Sequence, residues 1–256
     1  MSYTIDERNP ERQQLLARIL EPFTREVLAR VPRLANPRCL DLGCGQGNTT
    51  RLLSEALGAA ECIGVEFDPS LVSYASTQPG NPTGVSFQQG DVTRLPFPDA
   101  SFDVVFCRYL LIHLADPMSG VREMMRVVRP GGYAVAFEPD FVVELSEPES
   151  PALALINRVW NGLFQNPRGG RKIVRYFREA GASRLEAGAL LHLEHDAAVL
   201  KRTYRLTAEA TGPLAQARGI LTELEVREMI DGLTRLEEDP ASVFVKFPDM
   251  WVIAQE

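Results

Sequence analysis

The chain has 256 residues, of which 45% are hydrophobic and 24% are charged, and it contains 19 glycines and 18 prolines. These fractions are ordinary for a globular protein and exclude extended disorder, a collagen-like repeat and a coiled coil. The formal net charge of −7 argues against tight binding to a nucleic-acid backbone, which requires clustered lysine and arginine.

The cysteines and the first residues indicate the expected compartment. The four cysteines lack the CxxC spacing of a metal site, and we interpret them as reduced core residues: Cys39, Cys44, Cys62 and Cys107. Residues 1–8 are too polar for a signal peptide, and no apolar stretch reaches the roughly 18 residues of a membrane helix. The sequence therefore predicts a soluble, cytoplasmic protein that binds no metal.

Residues 9–31 carry apolar side chains every three or four positions, which predicts a helix. Asn9 suits its cap and Pro10 its first turn. Pro22 falls inside the pattern, and we expect it to kink the helix or to split it in two. Residues 1–35 are thus expected to form a helical cap.

Between residues 38 and 137, short apolar runs alternate with helical patterns. The runs predicted as strands are 39–42, 62–67, 85–89, 102–107 and 133–137. Intervening helices are expected after the glycines at 43–47 and at the pairs Asp68-Pro69 and Asp116-Pro117, the last of these helices running through Val128. Near-continuous apolar strands separated by helices predict an α/β fold, a doubly wound parallel sheet covered on both faces.

After Pro139 the pattern changes. Helices are predicted at 151–165, 169–180, 197–211 and 222–237, with strands at 185–193 and 243–253. We expect residues 36–256 to form one domain. The helices at about 197–238 would be an insertion before the last strand, serving as a lid or as a dimer surface.

Glycines cluster at the first strand-to-helix turn, in Asp41-Leu42-Gly43-Cys44-Gly45-Gln46-Gly47. Glycines allow the backbone to approach a ligand closely, and the following helix start offers free N–H groups. Glu66 ends the second strand, 23 positions after Gly43, where a carboxylate can accept hydrogen bonds from both ribose hydroxyls. Asp91 follows the third strand and can accept from an adenine amine.

The loop does not match a dinucleotide fingerprint, because Asn48 stands where a helix-opening glycine would be expected. Asp41 is a poor neighbour for a pyrophosphate but a suitable one for an ammonium group. A ligand with adenosine at one end and an amino acid at the other, S-adenosylmethionine, fits better. A nicotinamide-dependent oxidoreductase is the competing interpretation.

The chain resembles the class I S-adenosylmethionine-dependent methyltransferases over roughly residues 36–140, most of all the bacterial branch that acts on small molecules and includes ubiquinone and menaquinone biosynthesis enzymes. The motifs that carry the resemblance are 40–47, 64–69, 90–92, 102–105, 111–114 and 129–132. The resemblance implies a seven-stranded, mostly parallel Rossmann-like sheet with an antiparallel last strand.

The resemblance also implies roles for individual residues. The methionine end of the cofactor would be held by Asp41 and the loop residues Gly43, Cys44, Gly45 and Gly47. Glu66 would bind the ribose, and Asp91 with Val92 the adenine. Phe67 would pack on the adenine face, and Cys107 would line the site through its backbone.

Methyl transfer from a sulfonium is an in-line displacement, so the protein supplies orientation and, where the acceptor carries a proton, a base. His113 is the candidate catalytic base, although its apolar surroundings favour a structural histidine. Arg108, Tyr109 and Glu138 follow or end strands and are candidate contacts of the acceptor. Asp140 is a further candidate, whereas His192 and His195 are spaced unlike a zinc motif.

The sequence therefore predicts an enzyme that methylates oxygen, nitrogen or carbon of a small molecule. A nucleic-acid substrate is disfavoured because residues 107–110 lack an Asn-Pro-Pro-aromatic run. Methylation of a protein partner and a non-catalytic S-adenosylmethionine-binding role are alternatives. We expect a monomer or a homodimer.

Overall fold

The computed structural model describes residues 10–142, 144–191 and 197–255. Within these residues the chain alternates helices and strands, with two short 3-10 turns at Leu111–His113 and Gly170–Lys172. The helices are α1 (Pro10–Leu28), α2 (Asn48–Leu57), α3 (Pro69–Thr77), α4 (Pro117–Val127), α5 (Pro151–Leu163), α6 (Ile173–Glu179), α7 (Ala197–Ala217) and α8 (Glu223–Glu238). The strands are β1 (Arg38–Leu42), β2 (Glu61–Glu66), β3 (Val85–Gln89), β4 (Phe102–Arg108), β5 (Val128–Pro139), β6 (Leu145–Glu147), β7 (Arg184–Leu190), β8 (Val243–Val245) and β9 (Asp249–Gln255).

The described residues group into two compact units. The sheet unit comprises those within Glu21–Pro139, Gly169–Ala189 and Asp249–Glu256. The helical unit comprises those within Met1–Leu20, Asp140–Arg168 and Leu190–Pro248. No helix in the described part of the chain is long and apolar enough to cross a membrane.

The main sheet has seven strands in the order β3-β2-β1-β4-β5-β9-β7. The pairs from β3 to β5 are parallel, and β9 runs antiparallel to β5. This arrangement confirms the predicted α/β class and the antiparallel last strand. The strand order reverses between β1 and β4, and in such sheets ligands bind at the carboxyl ends of the strands beside that reversal.

The central strands are buried because both faces of a parallel sheet are covered. Val104, Val105 and Phe106 of β4 have no exposed surface, and neither do Leu40 and Leu42 of β1. Their apolar side chains form the core that holds the carboxyl ends of β1, β2 and β4 in register. The rim of the sheet is therefore a rigid platform for the residues that follow each strand.

Helix starts follow the predicted capping chemistry. The side chain of Asp68 accepts a hydrogen bond from the Ser70 N–H at the start of α3, and that of Asp116 accepts from the Met118 N–H at the start of α4. Each cap is followed by proline at the first helical position, where a missing N–H is harmless.

The expected split of the first helix at Pro22 is wrong, since α1 continues through Pro22 to Leu28 in the described residues. A proline removes one backbone hydrogen bond. The buried side chains of Ile19, Leu20 and Val27, on either side of it, anchor both halves. The predicted cap residue Asn9 lies outside the described residues.

The predicted last strand at 243–253 is also wrong, because it is two strands. β8 pairs with β6 in a separate two-stranded sheet, and only β9 joins the main sheet. Pro248 separates them, since proline lacks the N–H of a strand ladder and restricts the residue before it. The short β6 was not predicted.

Strand β5 begins at Val128, earlier than the predicted start at residue 133, and α4 ends at Val127. Val128 pairs with Phe102, and the register then shifts so that Tyr133 pairs with Val104. The intervening residues 129–132 thus bulge from the ladder, which explains why their proline and glycines suggest a turn.

We predict that Phe106→Ala lowers the free energy of unfolding by about 3–5 kcal/mol, because it leaves a cavity in the fully buried centre of β4. Urea denaturation followed by circular dichroism measures the change. Tyr74→Ala on α3 is the control, since Tyr74 is 43% exposed and its loss should cost about 0.5 kcal/mol or less. Equal losses in the two variants would contradict the placement of β4 at the core.

Candidate functional site

The glycine loop between β1 and α2 is held against the end of β2. The N–H groups of Gly43 and Cys44 both donate to the Val65 carbonyl, at 2.8 and 3.1 Å. The Gly47 N–H turns back to the Cys44 carbonyl at 2.8 Å. The loop is therefore part of the sheet edge and has a defined shape.

The Glu66 carboxylate accepts a hydrogen bond from the glycine loop. Its Oε2 accepts from the Gly45 N–H at 3.0 Å, and its Oε1 accepts from the N–H groups of Phe67 and Asp68 at 2.7 and 3.1 Å. A carboxylate has about four acceptor positions, so it can accept from a ligand hydroxyl as well. Glu66, which is predicted to bind the ribose, thus lies beside the loop that is predicted to bind the methionine end of the cofactor.

The three loop glycines have positive φ angles but different surroundings. A Cβ at Gly43 would lie 2.8 Å from Leu110, and one at Gly47 would lie 2.6 Å from Phe87. A Cβ at Gly45 would meet nothing within 4 Å. Gly43 and Gly47 are thus required by the fold, whereas Gly45 faces open space, as expected of a cradle for a ligand.

Asp41 lies beneath this cradle and is 1% exposed. Its Oδ2 accepts from the Thr50 hydroxyl at 2.7 Å. Burial raises the pKa of Asp41 to about 7, against the opposing effects of the Thr50 hydrogen bond and the Arg108 charge. Thr50, on the first turn of α2, was not predicted from the sequence.

The opposite side of the cradle carries the residues predicted to hold adenine. Phe67 is 68% exposed, an unusual state for a large apolar side chain and a suitable platform for a flat ring. The Gly90 N–H donates to the Glu66 carbonyl at 2.9 Å, which brings Asp91 to the same edge. Asp91 Oδ1 accepts from the Thr93 N–H and hydroxyl, and the Val92 side chain is buried in the core.

Cys107, the last residue but one of β4, has no exposed surface, so neither its side chain nor its backbone is open to solvent. Arg108 donates through one guanidinium nitrogen to the Thr24 hydroxyl of α1 at 3.0 Å. Burial lowers the pKa of Arg108, while the charges of Asp41 and Asp249 act in the opposite direction. The sequence did not point to Thr24.

Glu138, at the end of β5, is fully buried. Its carboxylate accepts from the backbone N–H groups of Leu110, Leu111 and Ile112, at 2.8, 2.9 and 3.3 Å. Burial raises its pKa to about 7 in spite of these three donors. The structure thus gives Glu138 the turn after β4 as its partner, where the sequence suggested a contact with the methyl acceptor.

Tyr109, between Arg108 and that turn, has a φ of +56°. Its hydroxyl donates to Oδ1 of Asp249 at 2.5 Å, and Asp249 has no exposed surface. Asp249 was missed by the sequence analysis. The signal that could have found it is the antiparallel last strand, whose first residue must lie at the carboxyl rim of the parallel strands.

The other predicted candidates are less informative. His113 ends the 3-10 turn after β4 and is partly buried. Asp140 is 2% exposed and belongs to the helical unit. His192 and His195 lie outside the described residues. Among the residues with described positions, no group of three or more His, Cys, Asp or Glu side chains is placed to hold a metal ion.

Comparisons with known proteins identify methyltransferases that are similar to this chain. A family model described as a methyltransferase domain matches residues 40–136. A demethylmenaquinone methyltransferase of Deinococcus radiodurans is 36% identical over 148 residues, which are 57% of this chain and 56% of that protein. The O-methyltransferase resE of Aspergillus sclerotiorum is 30% identical over 184 residues, which are 70% of this chain and 67% of that protein.

The fold has a similar known structure, the YcgJ protein of Bacillus subtilis. It superposes with a TM-score of 0.61 at 24% identity and covers 92% of this chain and 99% of that one. At this identity the likeness concerns the fold. By sequence, the matched part spans about half the length of the first curated relatives, 56% and 45% for two of them.

The two buried carboxylates predict a pH dependence. The pKa of Glu138 is raised from 4.5 to about 7 in the folded chain, so the folded state binds more protons than the unfolded state between these values. Stability from this group therefore falls as pH rises from about 4.5 to 7. Asp41, raised from 3.8 to about 7, acts in the same direction.

We predict that Glu138→Gln makes the loss of unfolding free energy between pH 4.5 and 7 smaller by about 1–3 kcal/mol. Glutamine cannot titrate, but it keeps an oxygen for the N–H groups of Leu110 and Leu111. Urea unfolding at half-unit steps from pH 4.5 to 8 measures the slope. The quantity compared is the slope of unfolding free energy against pH. The absolute stability is not compared, because the new amide group places N–H donors against the Ile112 N–H at every pH. An unchanged slope would contradict the pKa of Glu138 stated above.

Proposed function

We propose that this chain, which belongs to the class I S-adenosylmethionine-dependent methyltransferase family, transfers a methyl group from S-adenosylmethionine to a small-molecule acceptor. The family model and the resE relative support the membership. The observation that carries the proposal is the open cradle at Gly45, bordered by Glu66 and lying above the buried carboxyl of Asp41.

The residues around the cradle fit the two ends of the cofactor. Asp41 and the backbone of the glycine loop would hold the methionine end, and the remaining acceptor position of Glu66 would bind a ribose hydroxyl. The exposed ring of Phe67 would stack on the adenine, with Asp91 and the backbone of Val92 at its edge. S-adenosylmethionine supplies an electrophilic methyl carbon, so the chemical demand on the protein is orientation and the removal of a proton where the acceptor carries one.

Residues at the ends of β4 and β5 would face the acceptor. Arg108 makes a single side-chain hydrogen bond, to Thr24, and its remaining donors can bind an acidic or phenolic group. Tyr109 lies next to it, and His113 is the candidate base that the sequence suggested. Glu138 would act by holding the turn that carries these residues. Relatives named for demethylmenaquinone and for O-methylation support a small-molecule acceptor.

The insertion at 197–238 as a lid, the cytoplasmic location and the monomeric or dimeric state stay predictions. The function itself is tested by incubating the chain with deuterium-labelled S-adenosylmethionine and a small-molecule extract of the source cells. Mass spectrometry then identifies any metabolite that gains a labelled methyl group. Binding of the cofactor without any labelled product would instead favour a non-catalytic binding protein.

We predict that Glu66→Ala weakens S-adenosylmethionine binding by about 10- to 150-fold, because a hydrogen bond to a charged group contributes roughly 1.5–3 kcal/mol. Isothermal titration calorimetry measures the affinity. Glu61→Ala, at the other end of the same strand, is the matched control, since Glu61 pairs with Arg38 away from the cradle. Equal affinities of the Glu66 and Glu61 variants would remove Glu66 from the cofactor site.

A further inference from the structure

Tyr109 has a backbone conformation that its side chain disfavours. A φ of +56° is uncommon for any residue other than glycine and is an outlier for a bulky one. Such strain persists where surrounding contacts impose it, often at functional sites. Here the Tyr109 N–H donates to the Phe137 carbonyl at 2.9 Å, and the next N–H, that of Leu110, donates to Glu138.

The strained backbone places the phenol beside a buried carboxylate. The Tyr109 hydroxyl lies 2.5 Å from Asp249 Oδ1, and its ring stacks on Phe137 at 6.2 Å between centroids with an interplanar angle of 20°. Tyr109 is only partly buried, whereas Asp249 is completely so. The tyrosine is therefore the member of the pair that has exposed surface.

A hydroxyl has one proton and two lone pairs. A phenol that passes its proton to a carboxylate such as Asp249 can take up another proton on the same oxygen. The charge of Asp249 favours this transfer, since it can take the phenolic proton as the new one arrives. The two residues thus have the geometry of a base oriented by a second group.

The charge beside the pair indicates which acceptor suits it. Arg108 precedes Tyr109 and interacts electrostatically with both Tyr109 and Asp249. A guanidinium stabilises the negative charge that develops on an oxygen losing its proton. Asp41 and Glu21 also interact with Arg108, so a hydroxyl is favoured through the negative charge that develops on its oxygen and not through a net positive field.

We propose that Tyr109, positioned by Asp249, is the proton acceptor for methylation of a hydroxyl group on a small molecule. This inference rests on the proposed function. The acceptor oxygen forms a bond to the methyl carbon as the carbon–sulfur bond breaks, with its electron pair going to the sulfur. The hydroxyl proton moves to the Tyr109 oxygen, and the phenolic proton moves to Asp249 Oδ1. The positive charge of the sulfonium and the negative charge of the carboxylate are both lost, so the step balances.

Tyr109→Phe tests the proposal because it removes only the hydroxyl. We expect kcat for labelled-methyl transfer to fall by about 10²- to 10⁴-fold, as for loss of a general base. Affinity for S-adenosylhomocysteine, measured by calorimetry, should stay within twofold. Tyr133→Phe on β5 is the control and should keep kcat within threefold. His113→Asn tests the competing candidate base.

Asp249→Asn tests the positioning role. Asparagine keeps an oxygen for the Tyr109 hydroxyl but cannot take its proton, so kcat should fall and the acidic limb of the pH–rate profile should disappear. The double variant with Tyr109→Phe should be no slower than the slower single variant, because the two residues act as a unit. A proton resonance downfield of the amides, expected for the short hydrogen bond, should be present in the wild-type chain and absent from both single variants.

The possible results of these experiments distinguish a failure of the Tyr109 inference from a failure of the proposed function. Transfer to a hydroxyl with kcat unchanged in Tyr109→Phe overturns the inference and leaves the proposed function standing, as does a loss confined to His113→Asn. Transfer to nitrogen or carbon overturns the acceptor class. S-adenosylhomocysteine binding without transfer to any extract component overturns the proposed function and the inference with it. If Asp249→Asn does not fold, Tyr109→Phe decides alone.

Discussion

The parallel pairing of β1 with β2 and β4 is the constraint on which the site depends. The register sets Leu42 opposite both Val65 and Cys107, so three strands end at one edge of the sheet. The Val65 carbonyl, at that edge, accepts two N–H groups of the glycine loop. These hydrogen bonds to the neighbouring strand define the shape of the loop, in which the space beside Gly45 stays open.

Three buried carboxyl groups lie at this rim, and each is matched by hydrogen-bond donors. Asp41 receives a hydroxyl, Glu138 three backbone N–H groups and Asp249 a phenol. Burying a charge is expensive unless donors compensate, and burial raises the pKa of Asp41 and Glu138 to about 7 in spite of these donors. Stability is therefore reduced at the rim, where the proposed cofactor carries a positive charge that would compensate the carboxylates.

Glu138 and Asp249 together explain how Tyr109 tolerates its backbone strain. Glu138 holds the turn that follows Tyr109, and Asp249 holds its hydroxyl. Neither contact is local, since the first joins residues 28 positions apart and the second joins residues 140 positions apart. Contacts with distant segments thus stabilise a backbone conformation of Tyr109 that an isolated strand end would not adopt.

The sequence by itself determined the α/β class and the succession of strands along the chain up to β5, and it predicted the cofactor side of the site, because these depend on local periodicity and on glycines and acids placed just after apolar runs. It failed where it allowed α1 to split at Pro22 and at the break before Asp249, where packing or a single proline outweighed the pattern. Only the tertiary structure decided that, of the three glycines in the loop, Gly45 faces open space, that Glu138 accepts hydrogen bonds from a backbone turn, and that Asp249 contacts Tyr109. Each of these depends on which distant backbone or side chain comes within a few ångströms, and spacing along a chain does not record that distance.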